Sequence, residues 1–215
     1  MSEISHPVGI TVVPQLEERN RLTTAFRFFL GIPHILLVGG PAIAGAWIGW
    51  QSHDGVSWGS SGGVLGVVAC MASLIAWFAI LFTGSHPDGL WRLAAYYLRW
   101  RIRAIAYLAM LRDEYPPFGD GAYPAELVLA EPPQSRDRLT VFFRLVIAIP
   151  HLIILGLLSV AWAFTTAVAW LLILLTGRYP ELLYGFALGV FAWTTRVEAY
   201  LLLLHDEYPP FTLRV

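Results

Sequence analysis

The chain has 215 residues, 57% apolar and only 13% charged, about half the charged share of an ordinary soluble domain. A net charge of −1, with every basic residue an Arg, leaves no clustered positive face of the kind that nucleic acid requires. The single Cys70 excludes an intrachain disulfide, and inside an apolar run it reads as a small packed hydrophobe.

Residues 1–20 carry Glu3, Glu17 and Glu18 and no basic segment leading into an apolar core, so they read as a polar arm and not as a signal peptide. From Arg21-Leu22-Thr23 through Phe26-Arg27 to Ile32-Pro33-His34, an amphipathic lead-in helix is expected, with proline redirecting the chain into a membrane helix. Two apolar helices should follow, roughly 34–50 and 64–83, divided by the Gly- and Ser-rich loop 51–63. Within it, Gly59-Ser60-Ser61-Gly62-Gly63 has the spacing of a serine-hydrolase nucleophile elbow, with His53 and Asp54 close by. That elbow needs a strand leading into it over a sheet, and none precedes it, so the segment reads as an interhelical loop. A third segment, 88–111, sets Arg92, Tyr96, Arg99, Arg103 and Tyr107 on one helical stripe. With Arg101 it carries enough charge to be expected at the membrane interface. It ends in Asp113-Glu114-Tyr115-Pro116-Pro117-Phe118, followed by a Pro-rich, charged linker over 119–137.

The chain then repeats itself. Arg138-Leu139-Thr140, Phe143-Arg144 and Ile149-Pro150-His151 return with a shift of 117 residues. Trp170, Thr176-Gly177, Pro180 and Asp206-Glu207-Tyr208-Pro209-Pro210-Phe211 return with a shift of 93, so the first copy holds 24 more residues between its two blocks. The apolar run 145–175 is long for one upright span and short for two, leaving a tilted span and a tight hairpin both open. In 181–204 the matched stripe is Gly185, Gly189, Ala192, Arg196 and Tyr200, and Gly185-x-x-x-Gly189 suits close helix approach. The expected fold is an all-α integral membrane protein: a polar arm (1–20), a first repeat (21–118), a linker (119–137) and a second repeat (138–211). Each repeat would comprise a lead-in helix, a membrane helix or hairpin, and an Arg- and Tyr-bearing third helix.

As a set, Arg-Leu, Phe-Arg, Ile-Pro-His, Thr-Gly-x-x-Pro and Asp-Glu-Tyr-Pro-Pro-Phe resemble the pattern of a family of small prokaryotic membrane proteins classed as a domain of unknown function. It is met at Arg21, Arg27, Pro33-His34, Thr83-Gly84, Pro87 and 113–118. It is met again at Arg138, Arg144, Pro150-His151, Thr176-Gly177, Pro180 and 206–211. The resemblance implies a multi-pass membrane protein and supplies no activity.

The recurring charges suit two roles. Asp113, Glu114, Asp206 and Glu207 are expected to close each copy on an Arg such as Arg27 or Arg144. Arg27, Arg99, Arg101, Arg103, Arg144 and Arg196 are also candidates for contact with anionic lipid headgroups or a membrane-protein partner. His34 and His151 occupy matched positions and are the candidate ligands should the fold bring them together. No metal site, cofactor or catalytic residue is assigned, and His53, His86 and His205, which do not repeat, are expected in water. The expected function is a non-catalytic, lipid-interacting scaffold or accessory subunit of the cytoplasmic membrane. The alternatives are a small transporter or channel built from two repeats and, behind it, a membrane hydrolase using Ser61. The Arg distribution is expected to keep the N-terminus and both Asp-Glu-Tyr-Pro-Pro-Phe ends cytoplasmic.

Overall fold

Asn20 and Asp137 each start a long apolar helix, because a short polar side chain can accept the first unpaired backbone N–H groups. Asn20 accepts from Leu22 and Thr23, and Asp137 from Leu139. The structure, a computed structural model, describes residues 6–40, 62–131 and 136–215. Its elements are β1 (Val8–Val12), α1 (Arg21–Val38), α2 (Gly63–Thr83), α3 (Asp88–Leu108), β2 (Ala125–Leu129), α4 (Arg138–Thr176) and α5 (Glu181–Leu201). The Thr-Gly-x-x-Pro motif is the joint between a long helix and the next one. Gly84 and Gly177 end α2 and α4 in the left-handed conformation, at φ 79° and 72°, and Pro87 and Pro180 cap the starts of α3 and α5.

The run 145–175 lies within one helix: α4 is continuous over 39 residues. In the first copy, α1 and α2, 18 and 21 residues long, together match that length, and the extra residues fall between them. Gly63, at φ +63°, abuts α1 so closely that a Cβ there would lie 2.6 Å from the Leu37 carbonyl carbon and from the Gly39 nitrogen. The buried positions confirm the equivalence. Thr24, Arg27, Gly31, His34 and Val38 of α1 match Val141, Arg144, Ala148, His151 and Leu155 of α4, while Ala69, Ala76 and Ile80 of α2 match Trp162, Ala169 and Ile173. Each long helix thus buries one narrow stripe and exposes apolar side chains over the rest of its circumference. Contrary to expectation, Pro33 and Pro150 do not divide a lead-in helix from a membrane helix but lie inside α1 and α4. Each costs one backbone hydrogen bond, and helix packing on both sides of the proline keeps the axis running.

The two long units run antiparallel and touch through matched contacts. The Trp77 indole donates to the Val141 carbonyl (2.9 Å) and the Trp170 indole to the Thr24 carbonyl (3.0 Å). The Arg19 amide donates to the Gly177 carbonyl and the Arg136 amide to the Gly84 carbonyl. Against this pair lie α3 and α5, whose C-terminal halves are enclosed: Trp100 to Tyr107 and Gly189 to Tyr200 are buried throughout. The segment read as interfacial is therefore an inner layer, and its charge is accommodated by internal partners. Both helices end in a Schellman turn with a non-glycine residue at positive φ, Met110 (63°) and Leu203 (61°), whose side chains are buried.

The chain also departs from an all-α reading. β1, from the polar arm, pairs antiparallel with β2, from the linker, in the register Val8 with Leu129 to Val12 with Ala125. Val8, Ile10 and Ala125 point inward, whereas Thr11, Glu126 and Val128 are exposed. This ribbon packs on α5 through β1 and on α3 through β2, so its principal neighbours are the inner helices and not the long ones. Gly189 does not mediate helix contact; a Cβ there would lie 2.6 Å from the Leu213 carbonyl oxygen of the C-terminal tail, and Gly185 faces open space.

Candidate functional site

Each copy closes on its own carboxylate. Arg27, buried in α1, pairs with Asp113, donates to the carbonyls of Tyr107 (2.7 Å) and Arg112 (2.8 Å), and lies 4.6 Å over the Tyr107 ring. In the second copy Arg144 pairs with Asp206 (2.6 Å), donates to the carbonyls of Tyr200 (2.7 Å) and His205 (2.9 Å), and lies 4.3 Å over Tyr200. One guanidinium thus caps the orphan carbonyls at the end of α3 or α5 and binds the first carboxylate of the motif.

A second Arg joins each site: Arg19 reaches Asp113 and the Met110 carbonyl (both 2.6 Å), and Arg136 reaches Asp206 (2.7 Å) and the Leu203 carbonyl (3.1 Å). Sequence reasoning missed both, although Arg19-Asn20-Arg21 and Arg136-Asp137-Arg138 repeat with the same shift as Arg27 and Arg144. The second carboxylates behave differently. Glu114 pairs with its neighbour Arg112, and Glu207 is exposed with no ion pair among the described residues. Burial alone would raise the Asp113 carboxyl, but hydrogen bonds from Arg19 and the Asn20 amide hold it below the usual carboxylate range. Glu114 is likewise raised by burial and lowered, on balance, by Arg112.

His34 and His151 are held separately, each by its own copy. His34 Nδ1 accepts from the Trp100 indole (3.1 Å) and its ring stacks on Phe118 at 4.6 Å; His151 accepts from Trp193 (3.0 Å) and stacks on Phe211 at 4.0 Å. Their role is to pin the returning Tyr-Pro-Pro-Phe segment onto the long helix. Among the described residues no group of three His, Cys, Asp or Glu could hold a metal ion. His205, expected in water, is buried at 4% exposure with its ring 4.9 Å from that of His6, and burial lowers its pKa to about 3. His86 is half-buried beside the Pro87 carbonyl. Ser61, His53 and Asp54 lie outside the described residues.

One charged contact breaks the repeat. Arg101 of α3 forms a bidentate pair with Glu198 of α5, at 3.0–3.1 Å from Nε and Nη2, and donates to the Val38 carbonyl (2.7 Å). Their matched positions hold Thr194 and Ile105. This pair lines a cavity of about 340 Å3 together with Arg144, Ser73 and Tyr97 and with apolar side chains that include Leu74, Trp77, Leu145 and Leu152. Leu74 and Leu145 are exposed on the outer faces of α2 and α4, so the cavity opens between the long helices. Nothing in the sequence marked Glu198 as a partner of Arg101, because the contact is unrepeated and joins the copies.

Of the six arginines expected to meet lipid headgroups, five are not available to them. Arg27, Arg101, Arg103, Arg144 and Arg196 are buried, Arg103 donating to the Gly119 carbonyl and Arg196 to those of Thr212 and Arg214. Arg99 is half-buried, and Arg21, Arg92 and Arg138 are exposed.

A family model described as a domain of unknown function, DUF4389, matches residues 60–119 and again 138–212. In the second copy the match takes in the equivalent of α1, whereas in the first it begins at residue 60, just before α2, and leaves α1 out. No curated protein and no solved structure matches the chain.

Proposed function

The chain belongs to the DUF4389 family through both of its copies, and on that premise we propose that it is a non-catalytic membrane protein that binds lipid as a scaffold or accessory subunit. The observation that carries this reading is how the two kinds of side chain are spent. The repeated Arg19, Arg27 and Asp113, with Arg136, Arg144 and Asp206, are consumed inside the molecule, closing each copy, while the outward surface of α1, α2 and α4 is apolar along its length. A surface of that kind has lipid as its natural solvent. The cavity between α2 and α4, apolar and open toward the same surface, is of a size that takes part of an acyl chain. Headgroup contact then falls to the exposed Arg21 and Arg138, at the starts of the two long units, with Arg92 and Arg99.

Native mass spectrometry of protein released from membranes in mild detergent tests the reading. Anionic phospholipid should be retained, and Arg21→Gln with Arg138→Gln should reduce that retention in a salt-sensitive way. Leu74→Trp, which fills the cavity mouth, should remove one bound lipid without unfolding the protein. Unchanged lipid retention in both variants, together with solute flux in proteoliposomes, would replace the scaffold by the transporter, with Arg101 and Glu198 on its path.

A further inference from the structure

We propose that the protein sits in one leaflet, with its long helices lying along the membrane and its β ribbon and both copy ends on the same aqueous side. The occupant of the apolar face is the acyl layer of a bilayer, and four independent features point to this seating over a vertical bundle.

The first is length. At about 1.5 Å per residue, a 39-residue helix is on the order of 58 Å long, twice the roughly 30 Å of hydrocarbon in a bilayer. Exposed apolar side chains run along α4 almost from end to end, from Leu139 (68% exposed) through Leu157 (71%) to Leu175 (72%). A vertical helix would leave many of them in water.

The second is the ribbon. A two-stranded sheet has two open edges, and unpaired backbone groups are not tolerated in hydrocarbon. β1 runs from the second copy's end, where His6 meets His205, toward the first copy's end, where Gln15 and Arg19 meet Asp113. The ribbon therefore lies along the middle of the molecule. In a vertical bundle its edges, with the exposed Glu126, would face the centre of the bilayer.

The third is symmetry. Two antiparallel helical units exchanging matched contacts are related by an axis perpendicular to the plane that contains them. Such an axis puts α3 and α5, Asp113 and Asp206 all on one side of that plane. Laid flat, both copy ends share one aqueous compartment; stood upright, they occupy opposite ones.

The fourth is the aromatic border. Tyr115 and Phe118 flank α1, Tyr208 and Phe211 flank α4, and all four are between 39% and 57% exposed. At equal depth beside the embedded helices they form an interfacial belt on both flanks. The charge bias that expects both copy ends in the cytoplasm needs this arrangement. The Arg-free loop 51–63, which the same bias would place across the membrane, lies outside the described residues up to residue 61.

Two measurements on the full-length protein decide it, in a Cys70→Ala background. Single cysteines replacing Glu114 and Glu207, matched exposed positions at opposite ends of the long helices, should react with an impermeant thiol reagent from the same side of sealed membrane vesicles. Spin labels at Leu22, Ile75 and Phe82, and at Leu139, Leu157 and Leu175, should report a level depth profile between lipid-soluble oxygen and an aqueous nickel chelate. Labelling of Glu114→Cys and Glu207→Cys from opposite sides would overturn the proposal. So would a depth profile that peaks sharply at Ile75 and Leu157 and falls to water at both ends. The lipid-binding reading survives either failure, because a vertical bundle would also retain lipid.

Discussion

Replacing Arg101 and Glu198 together should harm the protein far less than replacing either alone. Arg101 is 1% exposed and the Glu198 side chain 11%, so each change alone deprives a buried charge of its bidentate partner. The chain itself supplies the substitutes: the matched positions carry Thr194 and Ile105, which pack there without charge. Arg101→Thr leaves a buried carboxylate, and Glu198→Ile takes the bidentate carboxylate from a guanidinium whose other contacts, that to the Val38 carbonyl among them, remain. Breaking a buried pair from one side costs about 3–5 kcal/mol, whereas exchanging both members for well-packed apolar residues is often close to neutral. The double variant should therefore recover about 3 kcal/mol relative to the sum of the single ones. Thermal unfolding in one detergent, followed by tryptophan fluorescence, should show each single variant melting roughly 10 °C lower and the double variant within a few degrees of the parent. Additivity within about 0.5 kcal/mol would mean that the two charges do not stabilise one another.

The same cycle applied to Arg27→Gln and Asp113→Asn should be strongly less than additive, while Arg27→Gln combined with Asp206→Asn should add within about 0.5 kcal/mol, since each copy closes on itself. Gly63→Ala should destabilise by more than about 1 kcal/mol, because φ is +63° and the Leu37 backbone blocks the Cβ. Gly156→Ala, at the matched helical position with open space around it, should be neutral or mildly stabilising in the same melt. Acid should weaken the fold through two kinds of group. His205, with a pKa lowered to about 3, stays neutral when folded but takes a proton when unfolded below about pH 6.5, which removes about 2 kcal/mol by pH 5. Asp113 and Glu114, held below their ordinary values, contribute stability that is lost as pH falls through the carboxylate range. Melting temperature should thus fall from pH 7 to pH 4, and His205→Gln should flatten the part of that fall above pH 5. Removing the indole donor with Trp77→Phe or Trp170→Phe should each cost about 1 kcal/mol, and similar losses would support the matched pairing of the long helices.

What was legible in the sequence is what the chain says twice. The two shifts identified the repeat, the Arg to carboxylate closure and the helix joints, because each is built from residues close to a motif that recurs. The strands escaped notice because Val8–Val12 and Ala125–Leu129 are five residues each, and what makes them strands is a partner more than a hundred residues away. Arg101 to Glu198 escaped for a different reason: it occurs once, and its two halves belong to different copies. Helix α4 stayed ambiguous because Pro150 signals a break that packing overrides, and burial of α3 was missed because charge counted along a sequence does not reveal whether carboxylates and carbonyls wait to receive it.

The joint between Val38 and Gly63 makes the first long unit a helix in two pieces whose inward stripe resumes without loss of phase. The phase is kept by the seating of Gly63 against Leu37 and Gly39 and not by an unbroken helical backbone. The second copy, where Leu155 passes directly into Gly156, records what a seamless version looks like. The first copy therefore carries a discontinuity in the middle of an outward-facing apolar unit that the second copy lacks. The interlock with the opposite repeat, made toward the far ends of the two pieces by Trp77 with Val141 and by Trp170 with Thr24, holds the same register on either side of that discontinuity.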